Sequence, residues 1–475
     1  MMRKFMIAAV SGLMAMVPAT LSAETLTDAL IAAYRNSHLL DQNQAVLRAA
    51  DEDLATAVGI LLPVISFRAS IDASGSFLPG RTTFDCSPPP CREVPAPAQT
   101  PLSLSDSISL VASMTLFDFG RGDLGIALRN ELVLASQQSL ISVEQDVLLD
   151  AVSAYVDLGL QAELVAAQES NVRLISQDLR AANDRFEVGE VTRTDVALAQ
   201  AQLASAKAAL ASSQGNYNVA RERYKAAIGH YPARLTGLPK WPGTVRTLAE
   251  ARAVALRNHP VILQAQHQAR AADFGVELAR TQMLPTVNGQ ASLSQTFSGG
   301  NSSAINESLS ITLNQTIYAG GQLSSALRKA IAQSQSSHAG LLQTGVNVEE
   351  AVGRAWSNIL VSNVSIEAGD QQIRAAQAAY DGVKQEAELG SRTVLDVLDA
   401  EQNLLSAKAS RLQASANLYI SQYQLLSAMG VLTAKHLNLG IPTFDPNSYL
   451  NAVKNAPATS GRGAKLDRIL KTLGK

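Results

Sequence analysis

Residues 107–116 read SISLVASMTL and residues 308–317 read SLSITLNQTI, so one alternation of polar and apolar residues occurs twice, 201 residues apart. Period-two alternation places successive side chains on opposite faces of a β-strand. The apolar positions are Ile108, Leu110, Ala112, Met114 and Leu116 in the first stretch and Leu309, Ile311, Leu313 and Ile317 in the second. A β-strand crosses a bilayer in about 9–11 residues. The two stretches therefore predict membrane-crossing strands.

A weaker alternation follows each of two prolines, Pro63 and Pro285, and predicts a partner strand for each stretch. Its apolar positions are Ile65, Phe67, Ala69 and Ile71, then Val287, Ala291, Leu293 and Phe297. Four strands cannot close a barrel, since the smallest membrane barrels have about 8. An open sheet edge cannot lie in lipid, because its backbone groups would be unpaired. Several chains would therefore pool their strands, unless the strands form a small soluble sheet instead.

The strands belong to a repeat that covers most of the chain. Its first matched pairs lie 222 residues apart, and they are Leu26 and Leu248, Asn36 and Asn258, Asp51 and Asp273, and Pro63 and Pro285. The later pairs lie 201 residues apart, and they are Gly120 and Gly321, Gly189 and Gly390, Asp195 and Asp396, and Gly229 and Gly430. The first copy thus carries 21 extra residues between Pro63 and Gly120. A period this long predicts two domain-sized halves, because solenoid repeats are about 20–50 residues.

The extra residues form a proline-rich loop that contains both cysteines, Cys86 and Cys91. A polar loop of variable length between two strands is expected on the outer side of a barrel. In an oxidising compartment, two cysteines this close favour a local disulfide over a metal pair or reactive thiols.

Long proline-free stretches follow each strand pair, from Leu102 to Tyr231 and from Thr286 to Ile441. Apolar residues step by three or four positions at Leu140, Val143, Val147, Ala151, Ala154 and Leu158, and again at Leu341, Thr344, Val348, Val352, Ala355 and Ile359. This spacing predicts a coiled-coil seam. A helix from Gly122 to Glu187 would be about 100 Å long. A break at Val188 and Gly189 and a shorter helix from about Thr194 to Ile228 complete a helical hairpin.

The N-terminus predicts secretion. Arg3 and Lys4 precede an apolar run from Phe5 to Val17, and Leu21-Ser22-Ala23 offers a cleavage site before Glu24. The run is shorter than the ~20 residues of a helical membrane span, which disfavours an uncleaved anchor. No cysteine lies beside the cleavage site to carry a lipid.

The composition argues against several classes of protein. A formal charge of −2 gives no electrostatic reason to bind nucleic acid. The six histidines are scattered, and no Walker loop, nucleophile elbow or HExxH motif occurs. The sequence therefore predicts no enzyme, no cofactor and no metal.

The two helical breaks carry the most specific motifs. Residues 389–402 read LGSRTVLDVLDAEQ, and residues 188–196 read VGEVTRTDV. These resemble the second and first hairpin tips of the TolC family of outer-membrane export ducts. Residues 117–120 (FDFG) and 318–321 (YAGG) are similar to that family's junctions between barrel and helix. The absence of a lipidation cysteine favours the TolC-type branch over the lipoprotein branch.

The resemblance implies a homotrimer with a 12-stranded barrel in the outer membrane of a Gram-negative bacterium, four strands from each chain. An α-helical coiled-coil barrel would continue it through the periplasm. The implied partners are outer-membrane lipid, a periplasmic adaptor (membrane fusion) protein and an inner-membrane ABC or proton-driven transporter.

The expected segments follow the repeat. They are a signal peptide at 1–23, short helices at 24–63, a hairpin with an extracellular loop at 64–117, a long helical hairpin at 118–229, a linker at 230–247, short helices at 248–285, a second β-hairpin at 286–318, a second helical hairpin at 319–430, and an equatorial segment with a disordered tail at 431–475. The tail is expected to lose order from about Asn451.

The resemblance also assigns functional residues at the hairpin tips. Adaptor docking would involve Val188, Gly189, Glu190, Leu389, Gly390, Ser391 and Thr393. A periplasmic gate would involve Asp396, Asp399, Arg392, Asp195 and Thr194. Asp396 and Asp399 share a helix face, and threefold symmetry would make each a ring of three carboxylates. Arg392 and Asp195 match residues whose link between helices closes the family's entrance. Ordinary solvated helix charges are the alternative.

The function expected is a passive, gated exit duct for secreted protein or small toxic compounds. A self-contained diffusion porin and a fibrous coiled-coil surface protein are the other classes. A porin has no use for long periplasmic helices, and a fibrous protein would not carry strand pairs inside each copy.

Overall fold

The computed structural model describes residues 23–455 except 97, 101, 240–242, 244 and 299–301, and also residue 468. The predicted signal sequence before Ala23 and most of the tail lie outside the described residues. The chain forms two compact units. The first contains the residues up to Asp41, Val143–His259 and Val348–Thr443, and the second contains Gln42–Ser142, Pro260–Asn347 and the residues from Phe444. Each unit combines segments of both repeat copies, so the copies do not fold as separate halves. The nine segment boundaries stay predictions.

The second unit is built on a four-stranded antiparallel sheet. Its strands are β1 (Val64–Gly75), β4 (Leu102–Phe117), β5 (Thr286–Ser298) and β6 (Ser302–Asn314), in the order β1-β4-β5-β6. The two predicted strand pairs are confirmed. The central β4–β5 pairing joins the two copies, and the sequence alone did not predict this pairing.

The register aligns the alternating patterns of all four strands. Phe67 lies opposite Leu110, and Leu110 lies opposite Leu293. Ala291 continues the same face to Leu309, whose side chain is 81% exposed in the single chain. Small polar residues line the opposite face, where hydroxyl pairs such as Ser292 and Ser308 are 2.7 Å apart. The sheet thus has one mostly apolar face, interrupted by Asp106, Gln295 and Glu307, and one mostly polar face. A shift of one residue in any strand would have mixed the two faces.

The predicted alternation around Ile317 extends three residues beyond the end of the strand. β6 ends at Asn314, which pairs with Thr286, the first residue of β5. β5 provides no partner for residues beyond Asn314, and Ile317 is 95% exposed outside the sheet.

The loop of the first copy contains a second, small sheet that the sequence did not predict. Strands β2 (Arg81–Asp85) and β3 (Arg92–Ala96) pair antiparallel. Cys86 follows β2 and Cys91 precedes β3, and a disulfide joins the two cysteines across the turn.

Four helices are unusually long, as predicted. They are α3 (Arg121–Glu187) and α4 (Arg193–Ile228) in the first copy, and α7 (Gln322–Glu388) and α8 (Val394–Ala428) in the second. Shorter helices are α1 (Leu26–Asn36), α2 (His38–Gly59), α5 (Leu248–Asn258), α6 (Pro260–Thr281) and α9 (Pro446–Val453). In the described part of the chain, no helix has both the length and the apolar character needed to cross a membrane.

The first unit packs its helices along the predicted seam. The buried seam residues there are Ala151, Ala154, Leu158, Val348, Val352 and Ala355. Tyr155 is also buried, and its hydroxyl donates to the carbonyl oxygen of Thr236 at 2.8 Å and contacts that of Glu24 at 3.0 Å. The Glu24 amide donates to the carbonyl oxygen of Arg234 at 2.8 Å. The beginning of the described chain is therefore fixed to the linker after α4.

The C-terminal segment contains the short helix α9. α9 includes Asn451, and its N-terminus is capped by the Asp445 side chain, which accepts from the Asn447 amide at 3.0 Å. Pro446 is favourable at the first helical position. The part of the predicted tail after residue 455 lies outside the described residues, except 468.

Candidate functional site

Two tight turns join the long helices, one in each copy, and both belong to the first unit. In the first turn, the Gly189 amide donates to Phe186 and the Glu190 amide donates to Arg185. The second turn repeats this pattern with Gly390 and Ser391. These are the two hydrogen bonds of the Schellman motif, which satisfies the last carbonyl groups of a helix.

A glycine is required at the same place in both turns. Gly189 has φ +80° and Gly390 has φ +77°. A Cβ atom at either position would meet no atom within 4 Å, so the space around it is open. The left-handed backbone is the reason for glycine, because a side chain makes this conformation unfavourable.

Each turn ends in a capping box that starts the returning helix. The Thr393 amide and hydroxyl donate to Asp396 Oδ2 at 2.9 and 2.8 Å. The Asp396 amide in turn donates to the Thr393 hydroxyl at 3.2 Å. Thr192 and Asp195 form the same box at the start of α4. The motif T-x-x-D thus explains one aspartate in each copy without any gate.

The capping hydrogen bonds also favour the charged form of Asp396. Its pKa lies below the ordinary value, because the Thr393 amide and then the Thr393 hydroxyl donate to the carboxylate, with a smaller contribution from nearby Arg392. Asp396 therefore stays ionised at neutral pH.

The predicted docking residues form the exposed surface of the two turns. Val188 is 71% exposed and Leu389 is 85% exposed, so each turn presents an apolar side chain to solvent. Glu190, Ser391 and Thr393 are exposed beside them. The Ser391 hydroxyl also donates to the Glu386 carbonyl oxygen at 2.8 Å.

The predicted latch is not formed within one chain. Arg392 Nε lies 2.9 Å from Glu386 Oε2, in a salt bridge inside the second turn. Asp195 instead accepts from Thr192 in its capping box. Each side chain has a partner nearby in sequence, which is why the two do not meet in one chain. Thr194 is exposed in the first turn of α4.

Asp399 differs from its neighbour Asp396. It is exposed on α8 and takes no part in the capping box. Its counterpart in the first copy is Leu198, so the fold does not need a carboxylate at this position.

A buried acidic group close to the second turn was missed in the sequence. Glu401 on α8 is only 4% exposed, and neither of its carboxylate oxygens has a hydrogen-bond partner. It lies three residues after Leu398 and three before Leu404, both buried. The position of an acidic residue within this apolar stripe is the feature of the sequence that could have indicated the buried group. Among the described residues, no group of three or more histidine, cysteine, aspartate or glutamate side chains could hold a metal ion.

Comparison with known structures shows the fold. The outer-membrane channel OprN superposes with a TM-score of 0.71 at 23% sequence identity, over 85% of this chain and 89% of OprN. The outer membrane protein VceC from Vibrio cholerae gives a TM-score of 0.70 at 20% identity, over 85% of this chain and 96% of VceC.

Sequence comparison shows the family as well as the fold. The outer membrane efflux protein BepC of Brucella suis biovar 1 is 32% identical over 435 residues, which cover 91% of each protein. The outer membrane protein TolC of Escherichia coli K12 is 26% identical over 365 residues, 70% of this chain and 71% of TolC. A family profile described as outer membrane efflux protein matches residues 30–230 and 252–431. The resemblance found in the hairpin motifs is thereby confirmed, and the chain belongs to the outer membrane efflux protein family.

Proposed function

We propose that this chain is the outer-membrane exit duct of an export system in a Gram-negative cell. The observation that carries the proposal is the four-stranded sheet, with one mostly apolar face and its outer strands β1 and β6 each paired on one side within the chain. Lipid does not tolerate an open edge, so the sheets of several copies must join. Three copies give twelve strands, and this predicts a homotrimer.

The long helices support a duct that reaches into the periplasm. α3 and α7 have 67 residues each, about 100 Å at ~1.5 Å per residue. A diffusion porin needs no such helices, and the alternating strands disfavour a fibrous surface protein. The chain would be a conduit rather than an enzyme, and its energy would come from its partners.

The exposed turns support docking of a periplasmic adaptor, which would connect the duct to an inner-membrane transporter. Val188 and Leu389 give the proposed partner an apolar contact in each copy. Gly189 and Gly390 shape the turns, and Glu190, Ser391 and Thr393 supply polar groups at their rims. Secretion to the outer membrane would follow cleavage near Ala23.

The carboxylates of the second turn support a selective entrance. Asp396 and Asp399 lie on one helix face, and trimer symmetry would turn each into a ring of three. A narrow ring of like charges concentrates the electrostatic field in a way that isolated surface charges do not. The latch would join Arg392 to Asp195 or Thr194 of a neighbouring copy, since the single chain does not join them.

The relatives suggest two kinds of cargo. BepC is named an efflux protein, whereas AprF of Pseudomonas aeruginosa, 26% identical over 353 residues, is named an alkaline protease secretion protein. We propose efflux of small compounds first, because the similarity to BepC is higher and covers 91% of both proteins. Secretion of a protein is the second candidate.

Purified protein separates the three classes of function. In detergent it should run as a trimer, form single channels in planar bilayers, and capture a periplasmic adaptor in pull-down assays. A porin would conduct without binding the adaptor, and a fibrous protein would do neither. A stable monomer that inserts into bilayers would rule out the pooled barrel.

A further inference from the structure

Three helices of the first unit bring acidic and basic groups together behind the second turn. Glu401 on α8 interacts electrostatically with Asp178 on α3 and with Lys384 on α7. Burial, and more weakly the charges of the same two acids, raise the pKa of Tyr380, which lies one turn before Lys384. Glu401 is buried, and both of its oxygens, together with Asp178 Oδ2, lack hydrogen-bond partners. Unsatisfied buried carboxylate oxygens call for a proton or another ligand.

The surroundings of Glu401 are apolar on both sides. One core cluster contains Ile175, Ala206 and Leu398, with Leu203 packed against it. A second contains Tyr380, Val397 and Leu404. Glu401 lies between Leu398 and Leu404 on α8, so it shares their buried face. An ionised carboxylate is costly in such a place.

Other charged groups of both signs lie near Glu401. A cavity of about 110 Å³ beside the cluster is lined in part by Asp178, Arg185, Lys384 and Glu388. It is large enough to admit water. From α4 the cluster meets Leu203 and Ala206, which are apolar. On α8 itself, Asp399 is exposed.

We propose that Glu401 and Asp178 form a proton-binding site that controls how tightly α3, α7 and α8 pack behind the second turn. Protonation removes the buried charge and lets the apolar clusters close around Glu401. Loss of the proton leaves a buried carboxylate next to Asp178, with Lys384 as the nearby cation, and loosens the packing.

The direction of the pH dependence follows from the burial of the group. Burial, and then the charge of Asp178, raise the pKa of Glu401 from 4.5 to about 7, although Lys384 acts in the opposite direction. Burial also raises the pKa of Asp178. A raised pKa in the packed state means that its stability is complete below pH 4.5 and falls as the pH rises through about 7. Acid therefore closes this region and mild alkali loosens it.

The repeat shows that the fold itself does not need the site. The positions equivalent to Asp178, Lys384 and Glu401 in the other copy are Ala379, Asn183 and Gln200. Gln200 is exposed, whereas Glu401 is buried. The acidic site is therefore an addition to one of two similar hairpins.

Hydrogen exchange of the intact trimer, corrected for intrinsic exchange rates, tests the proposal. From pH 6 to pH 8 the opening constant of residues 394–404 should rise about tenfold in the wild type, as expected for a pKa moved from 4.5 to about 7. Glu401→Gln should remove this rise and keep the region protected. Glu169→Gln, on the exposed side of α3, should behave like the wild type.

A second variant separates proton binding from a purely structural role. Asp178→Asn removes the neighbouring negative charge and should move the midpoint of the transition to lower pH. An opening constant that does not change with pH in the wild type, or a rise that persists in Glu401→Gln, would overturn the proposal.

The consequence for transport rests on the proposed duct. Single-channel recordings should show higher open probability at pH 8 than at pH 6 in the wild type, and no difference in Glu401→Gln. pH-dependent exchange in a protein that forms no channels would support the proton site and contradict the duct. Channels without pH-dependent exchange would support the duct and contradict the proton site.

Discussion

At the scale of single residues, the two aspartates at the start of α8 have different tasks. Asp396 closes a capping box with Thr393, whereas Asp399 is exposed and takes no part in that box. We expect Asp396→Ala and Asp399→Ala each to weaken the block of single channels by polyvalent cations added on the periplasmic side. Only Asp396→Ala should also lower the thermal stability of the hairpin, because only Asp396 holds the helix N-terminus.

The control for both variants is Gln402→Ala, a change at an exposed neighbour on α8. It should alter neither block nor stability. If Asp399→Ala records like the wild type, the aspartates do not line the entrance, and Asp396 is only a cap.

Glycine at the second turn gives a separate test of the docking surface. Gly390→Ala forces a Cβ atom onto a backbone with φ +77° and should distort the turn and reduce adaptor capture and export. Trimer yield should not fall, because the turn lies outside the sheet. Export that persists with an intact trimer would show that the adaptor docks elsewhere.

Gly382 provides the matched control on the same helix. It lies inside α7 without a left-handed backbone, and a Cβ atom there meets nothing within 4 Å. Gly382→Ala should leave adaptor capture unchanged and stabilise the helix by about 0.5–1 kcal/mol.

Local motifs were predictable at this scale, and the buried acid was not. The glycines and the T-x-x-D boxes act through hydrogen bonds within a few residues, so the sequence contains all their partners. Glu401 is buried, and the apolar clusters around its neighbours on α8 include Ile175 and Tyr380, which lie on other helices. The link between Arg392 and Asp195 was expected from the resemblance, but within one chain Arg392 binds the closer Glu386.

At the scale of elements, the disulfide hairpin is the part least supported by the rest of the fold. β2 and β3 have five residues each, and residues 81–85 and 92–95 are exposed. An isolated two-stranded hairpin is marginally stable. Replacing Cys86 and Cys91 with serine should therefore speed hydrogen exchange and proteolysis in residues 81–96. Channel conductance should change little, because the four-stranded sheet does not include these strands.

Mass spectrometry of protein taken from the cell envelope should find the two cysteines joined to each other. Free thiols there, or equal exchange in the double-serine variant, would contradict the stapling role of the disulfide.

The limits of pattern recognition are also visible in these elements. The main strands alternate over ten or more residues, so their existence followed from the sequence. β3 contains Pro95 and has no alternation, and such short edge strands give little signal. The end of β6 was misplaced because Ile317 continues the pattern, whereas the partner strand has already ended.

At the scale of the whole molecule, the repeat predicted the helices and strands but not which of them form each compact unit. The two compact units each combine segments from both copies, so similarity along the sequence did not reveal which segments pack together. The packing partners of such long helices are difficult to predict from the sequence, since each helix is several times longer than an ordinary one. The pairing of β4 with β5 is likewise a contact between copies.

The membrane orientation of the sheet can be tested with two adjacent residues of β6. Leu309 lies on the apolar face, opposite Ala291, and Ser310 lies on the polar face, opposite Gln290. In the proposed barrel, Leu309→Arg would place a charge in lipid, which costs about 2–4 kcal/mol near the bilayer centre. It should lower trimer yield in the outer membrane. Ser310→Arg carries the same charge on the inner face and should preserve the trimer while reducing cation conductance.

The two variants control for each other, because they add the same side chain to the same strand one position apart. Western blots of outer-membrane fractions measure assembly, and planar bilayers measure conductance. If the two residues tolerate arginine equally well, the alternating faces do not separate lipid from a channel interior. The sheet would then be a soluble one, and the pooled barrel would be wrong even though the chain keeps the fold of its family.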